Sequence, residues 1–390
     1  MRIDFFRNDS SAHEVLGYFT KGLQEALRRH RIGSALYDMN PQSESEVLAH
    51  FVKDNTQYTA GFNVLLGEHS YFEPLGIPHI ALIVDCVTYC PSLIDSPHTI
   101  ACFVDEDSCD FIRLLGHDRT LYLPHAVEKE AIIDPVNLVR DFDVTFCGTF
   151  IDPDAIVSSW RVLFSPGFVQ FLEGVAERAL CSVDTNHMSL IMNELNNNYD
   201  LSKELKEKKV PLYDIMNSVE RVYRGRDRIG LIGSLRDVTL HIFDHAQNEA
   251  RWRNIAHTNL VFHSAVSFQE LLPVFRRSKV LLNSMPMFKR GFHERLFYGI
   301  ASGASVITTE NVAIPADFPA SKAVLYYRPP DYAQVNATLA IALANEEERL
   351  QDILSAQKIV RKKHTWDQRV KKLKEFLTTQ SLLDGSEVGT

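Results

Sequence analysis

The residue types most able to do chemistry together fall between 283 and 311, NSMPMFKRGFHERLFYGIASGASVITTEN. Asn283 closes an apolar run that reads as a strand, and a loop with Pro, Gly291, Lys289 and Arg290 follows. The pattern predicts a helix from about Phe292 that stops at Gly303, where glycine suits a left-handed turn. A strand, Ala304 to Thr308, comes next. A basic loop feeding a helix N-terminus at the end of a parallel strand offers free backbone N–H groups, a favourable dipole and cationic side chains. That combination suits an anion such as a diphosphate. The plainer reading is an ordinary helix–strand unit with a solvated basic loop.

Other groups compete for a role. Asp105-Glu106-Asp107 follows the apolar run IACFV, and paired carboxylates after a strand can hold a divalent cation on a diphosphate. Acidic residues there also cap helices. His125, after Pro124 at a strand end, and His13, in the loop after the first strand, are placed to meet a substrate. Asp85 is a further candidate general base. Arg224, Arg226 and Arg228 form a basic cluster, and the planar guanidinium of Arg224 suits phosphate oxygens. His263, ending another strand, joins the candidate ligand contacts. The six cysteines sit mostly in apolar runs without ligand spacing, which predicts core thiols and no metal site.

These residues need elements to position them. Strand signals at 1–6, 34–39, 58–66, 79–84, 99–104 and 121–124, separated by helix-length segments, predict a parallel sheet. A seventh strand, 143–150, leads into a helical stretch, 151–222, in which Asp152-Pro153-Asp154 reads as a helix start. Apolar runs at 228–232, 238–243, 260–263, 280–283, 304–308 and 323–327 predict a second α/β domain, and 346–378 is helical. The expected division is an N-terminal α/β domain over 1–140, a strand plus helical connecting segment over 141–222, a C-terminal α/β domain over 223–378 and a flexible tail over 379–390. In such folds ligands sit outside the carboxyl ends of the strands, here facing a cleft.

Composition narrows the class. At 390 residues, 45% hydrophobic and 23% charged, the chain is an ordinary globular one, long enough for two or three domains. With 41 basic and 50 acidic side chains the formal charge is −9, which argues against nucleic-acid partners and anionic membranes. The first residues lack a secretory apolar region and no stretch is long enough to span a bilayer, so the expected location is cytoplasmic. No G-x-G-x-x-G follows the first strand, which disfavours a dehydrogenase.

The pattern of Asn283, His293-Glu294-Arg295, Phe297, Gly303-Ala304 and Thr308, closed by Lys358, His364-Thr365-Trp366 and Arg369, resembles the C-terminal domain of CgeB-like, group 1 glycosyltransferases. Ile83-Val84-Asp85, Cys102 to Asp105 and Leu123 to Ala126 resemble that family's first domain. The resemblance implies the α/β GT-B fold, two Rossmann-like parallel-sheet domains facing a cleft with a helical insertion between them. It implies a glycosyltransferase that moves a sugar from a nucleoside diphosphate sugar (UDP-, GDP- or ADP-linked) to a protein or glycan acceptor. That sugar nucleotide is a co-substrate, and no cofactor is expected.

On this reading Asn283, Lys289, Arg290, Gly291, His293, Glu294, Arg295, Gly303, Arg224 and His263 bind the donor. Arg295, His125, His13 and Asp105 are the catalytic candidates. By analogy with related E-x(7)-E enzymes, retention at the anomeric carbon and independence from metal are expected. In this chain those two glutamate positions are Arg290 and Tyr298, so Glu294 is the expected substitute for holding the ribose. The alternatives are a CgeB-like binding protein without activity and a nucleotide-sugar epimerase of the same fold.

Overall fold

The computed structural model describes residues 1–7, 14–38, 44–66, 71–319 and 321–387. The chain divides into two units: Met1–Glu130 with Ser267–Gln269 and Arg361–Thr390, and Ala131–Val266 with Glu270–Val360.

The first unit opens with β1 (Ile3–Phe6), α1 (Val15–Arg29), β2 (Leu36–Tyr37), α2 (Glu44–Asp54) and β3 (Tyr58–Phe62). It continues with α3 (Phe72–Leu75), β4 (His79–Ile83), β5 (Thr99–Phe103), α4 (Glu106–Leu114) and β6 (Thr120–Tyr122). All six strands are parallel, in the order β2-β1-β3-β4-β5-β6. Strands β4 and β5 are buried along their whole length, so both faces of the sheet are covered.

The second unit holds β7 (Phe142–Cys147), α5 (Pro153–Leu163), α6 (Pro166–Cys181), α7 (His187–Asn197), α8 (Tyr199–Lys208) and α9 (Leu212–Ser234). After these come β8 (Thr239–Asp244), α10 (Glu249–Ile255), β9 (Asn259–Ser264), α11 (Phe268–Arg277), β10 (Ser278–Asn283) and α12 (Glu294–Ala301). The remainder is β11 (Ser305–Thr309), α13 (Ala313–Asp317), β12 (Val324–Tyr327), α14 (Gln334–Ala344), α15 (Glu346–Lys363) and α16 (Trp366–Glu387), the last running back into the first unit. Four helices of the inserted stretch begin at side-chain caps: Asp152 accepts from the Ala155 N–H, Ser165 from Phe168, Asn186 from Ser189 and Asn198 from Leu201.

The second sheet is also parallel, in the order β12-β11-β10-β7-β8-β9. Counting its strands in chain order gives 3-2-1-4-5-6, the doubly wound arrangement whose switch point lies between the first and fourth strands. Those are β7 and β10. On one face Val144, Phe146, Leu240, Ile242, Val280, Leu282 and Ile307 pack with Leu231 and Ile232 of α9, Trp252 of α10 and Val335 and Leu339 of α14.

Four expectations need correcting. Residues 228–232 are not a strand but part of α9, with Leu231 and Ile232 forming its core-facing side. A five-residue apolar run has no period long enough to separate a strand from the buried face of a helix. The strand at 142–147 does not belong to a connector; it is the central strand of the second sheet. The helix after the basic loop starts at Glu294 rather than Phe292, because His293 is its N-cap. Finally, the C-terminal helix belongs to the first unit and extends to Glu387, past the expected tail boundary.

Candidate functional site

The carboxyl ends of β7 and β10 gather one cluster of charged side chains of the second unit. Once 212–234 is a helix, Arg224 and Arg228 stand four residues apart on one face, while Arg226 turns away to Glu173 at 3.4 Å. Arg228 is 5% exposed, and its guanidinium donates to the carbonyl of Thr149 just past β7. Burial, then the positive charges of Arg224 and Arg295, hold the Arg228 guanidinium down to about 9. Glu220, 3.1 Å from Arg224, and the neighbouring Asp227 oppose that shift.

Arg295, in the first turn of α12, is close enough to Cys147 at the end of β7 to oppose the rise of its thiol, which burial pushes up to about 12. The site thus spans the switch point. Among the described residues, the Arg228 Nε and the Arg295 Nη1 are buried and have no hydrogen-bond partner. Two guanidiniums with N–H groups still to satisfy, beside a third that depresses Arg228, suit a multiply charged anion.

His293 occupies the N-cap position of α12, and its Nδ1 lies 2.7 Å from Glu294. The same nitrogen lies 3.4 Å from the Arg295 N–H, and it cannot both donate to the carboxylate and accept from the amide. The shorter, charge-assisted contact wins, so Nδ1 carries a proton and faces Glu294. Burial lowers the imidazole's affinity for a second proton; Glu294 opposes this, and the nearby Arg295 and Arg228 add to it. The other Glu294 oxygen faces Arg295 at 3.8 Å.

Asn283, wholly buried at the end of β10, donates to Thr308 Oγ1 at 3.1 Å and keeps an Oδ1 without a partner among the described residues. Next to it Ser284 donates to Asp227 at 2.6 Å. Tyr327 and Tyr332 donate to the same carboxylate at 2.7 and 3.2 Å. Burial pushes the Asp227 carboxyl up and these three hydroxyls pull it back. The network ties α9, and hence Arg228, to the start of the basic loop.

Several expected contacts take other work. Lys289 is 2% exposed and donates to the carbonyls of Ala179 and Ser182 at 2.6 and 2.8 Å, so its charge serves the C-terminus of α6 instead of a diphosphate. Gly303 is a structural glycine: its φ is +82°, and a Cβ there would lie 2.4 Å from the Arg140 Nη2. His263 hydrogen-bonds His241 at 2.9 Å and stacks on Phe243, on an edge strand three positions from β10. Arg290 and Gly291 stay in the loop, where the Gly291 carbonyl accepts from Asn311. Tyr298 is fully buried in the packed side of α12.

The first unit holds the remaining candidates. Asp105 is the N-cap of α4, accepting from the N–H and hydroxyl of Ser108 at 3.1 and 3.3 Å. His125 is 3% exposed and packs edge-on against Phe19, while its carbonyl accepts from Arg369 at 2.6 Å. Asp85 is exposed and accepts from Asn63 at 2.7 Å. His13 lies outside the described residues. No group of three or more His, Cys, Asp or Glu among the described residues is arranged to hold a metal, and no described helix is long and apolar enough to cross a membrane.

Residues 215–375 match the glycosyl transferase-like family. No curated protein matches the chain. Solved structures match over nearly its full length at low identity. A sucrose-phosphate synthase from Thermosynechococcus elongatus is 10% identical, with a TM-score of 0.55 over 99% of this chain and 100% of its own. A glycosyltransferase from Rickettsia africae is 10% identical, with a TM-score of 0.54 over 96% and 97%. Anabaena Alr3699/HepE, solved in complex with UDP and glucose, is 9% identical, with a TM-score of 0.51 over 97% and 100%. The fold is therefore the two-domain GT-B fold of these structures, and residues 215–375 carry the pattern of the glycosyl transferase-like family.

Proposed function

We propose that the chain is a glycosyltransferase that takes its sugar from a nucleoside diphosphate sugar whose diphosphate lies at the carboxyl ends of β7 and β10. The observation that carries the reading is the arginine cluster: Arg228 is buried and Arg295 half-buried, close enough to interact, and each keeps a buried N–H without a partner among the described residues. Clustered like charges cost stability unless an anion completes them. As the bond from the anomeric carbon to the diphosphate oxygen breaks, its electron pair passes to that oxygen. The two guanidiniums and the N-terminus of α12 stabilise the charge that develops. The acceptor hydroxyl bonds to the anomeric carbon, and its proton passes to the departing diphosphate. With that charge met by arginines, the transfer requires neither a metal nor another cofactor.

The remaining details belong to the same proposal. Retention at the anomeric carbon is the stereochemistry we assign, and a protein or glycan acceptor is assigned to the first unit. Glu294 supports His293 instead of the ribose, since its Oε2 already faces the imidazole. The test is a thermal-shift panel of UDP-, GDP- and ADP-sugars, followed by product analysis with and without acceptor. A donor at 100 times its Kd stabilises the folded chain by about 2.7 kcal/mol. Absence of any shift, even at high donor concentration, sinks the reading. Binding with no turnover favours the inactive alternative, and a changed sugar without acceptor favours the epimerase.

A further inference from the structure

The donor loop, residues 284–292, contains no strand and no helix, yet side chains hold it at several points. Its first residue is fixed to Asp227, and the Met285 N–H donates to Thr309 Oγ1 at 3.0 Å. Asn311, 3% exposed, divides its amide between two jobs. Its nitrogen donates to the carbonyls of Phe288 and Gly291 at 2.8 and 2.9 Å, and its oxygen accepts from the N–H groups of Ala313 and Ile314, both at 3.0 Å. The Val312 N–H donates to the carbonyl of Lys289. The Lys289 side chain reaches in another direction, to two carbonyls at the end of α6.

We propose that Asn311 and Lys289 are positioning residues for diphosphate binding, fixing the backbone of 288–291 between the start of α13 and the end of α6. The inference rests on the donor reading above and adds to it residues that do not touch the ligand. Only Phe292 separates this stretch from His293, the cap of α12, and Arg295 lies two residues further on. A shift of the loop is therefore a shift of the helix start and of its arginine. Binding geometry of this kind is sensitive to displacements near 1 Å. Lys289 suits the task because its ammonium meets the negative end of the α6 dipole while saturating carbonyls that the helix leaves open. Asn311 suits it because an amide supplies two donors and an acceptor, and all are used.

Two variants separate positioning from plain stability. Asn311→Asp keeps an acceptor oxygen for Ala313 and Ile314 and loses both N–H donors. Lys289→Met keeps the length of the side chain and loses its donors and charge. The measurement is the ratio of Kd for a nucleoside monophosphate to Kd for the matching diphosphate, by calorimetric titration with UMP and UDP, GMP and GDP, AMP and ADP. This ratio reads the grip on the second phosphate and is independent of the fraction folded. It falls about tenfold in both variants if the loop is displaced. If Asn311→Asp fails to fold, Lys289→Met decides. A folded variant with a lowered Tm and the wild-type ratio overturns the inference and leaves the donor reading standing. A wild-type chain that binds none of the diphosphates overturns both.

Discussion

At the end of β5 a carboxylate, Asp105, is fully engaged: it caps α4 and accepts from both polar hydrogens of Ser108. At the ends of β7 and β10 the guanidiniums of Arg228 and Arg295 keep buried N–H groups without partners among the described residues. Both places follow parallel strands, and both looked chemically able in the sequence. Local satisfaction of the charge separates them. A capped carboxylate contributes to its own helix. Crowded, partly unsatisfied arginines cost stability in the unliganded state and recover it from a ligand.

The sharpest way to break this contrast is to remove the arginines. Arg228→Ala and Arg295→Ala each weaken binding of the matching nucleoside diphosphate by about 10- to 100-fold, the worth of a charge-assisted contact. The Arg228→Met chain without ligand is as stable as wild type or more so in chemical denaturation, because it loses a desolvated cation held among other cations. A marked loss of stability would show that Arg228 is structural.

Glu294→Gln gives a smaller effect, several-fold on the same Kd, through loss of the carboxylate that orients His293. The loss is equal for a ribonucleoside diphosphate and its 2′,3′-dideoxy analogue. A selective loss for the ribonucleotide would return Glu294 to the ribose-binding role that the sequence suggests.

Acid tests the buried histidines. Burial holds His79 down to about 4 and His187 to about 3, and it lowers His293 as well. Unfolding lets each take a proton near its ordinary value of about 6.5, so the unfolded chain binds more protons below that pH. Stability is therefore complete above about pH 7 and falls as pH drops, by about 1.4 kcal/mol per pH unit for each such histidine. His187→Gln flattens the slope measured by denaturation between pH 6 and 4. An unchanged slope would mean that His187 is already protonated in the folded state.

The smallest expected effect lies at Asp105. Asp105→Ala costs roughly 1 kcal/mol of stability as a lost cap and leaves donor Kd unchanged. Added EDTA leaves turnover unchanged. Strict dependence of turnover on Mn²⁺ would restore a metal-binding role for the Asp105-Glu106-Asp107 carboxylates.

Both sheets were legible in sequence because their central strands are buried on two faces and read as continuous apolar runs. The arginine cluster proposed to bind the anion was legible in part. The 283–311 block pointed to it through its loop and helix start, which are local. The second arginine layer was obscured by reading 228–232 as a strand. With that stretch helical, the four-residue spacing of Arg224 and Arg228 becomes the signal. Lys289 was assigned to the ligand because a lysine beside a glycine loop looks solvent-facing. Its partners, Ala179 and Ser182, lie more than a hundred residues away in sequence, and no local pattern encodes them. Asn311 was hidden for the same reason, since the carbonyls it holds lie across a helix and a strand.

The return of α16 to the first unit sets an order of assembly on the ribosome. Trp366 donates to Glu128 at 3.1 Å and its ring packs near Phe19 and Phe62, while Arg369 holds the carbonyls of Pro124 and His125. The first unit is begun by the first 130 residues and completed only by residues from 361 onward. At roughly 5–20 residues per second, more than ten seconds of synthesis separate the two parts. The second unit emerges in that interval, so the first-made half of the chain must wait for the last-made helix. A nascent chain stalled before residue 361 leaves Phe19 and Phe62 without their tryptophan.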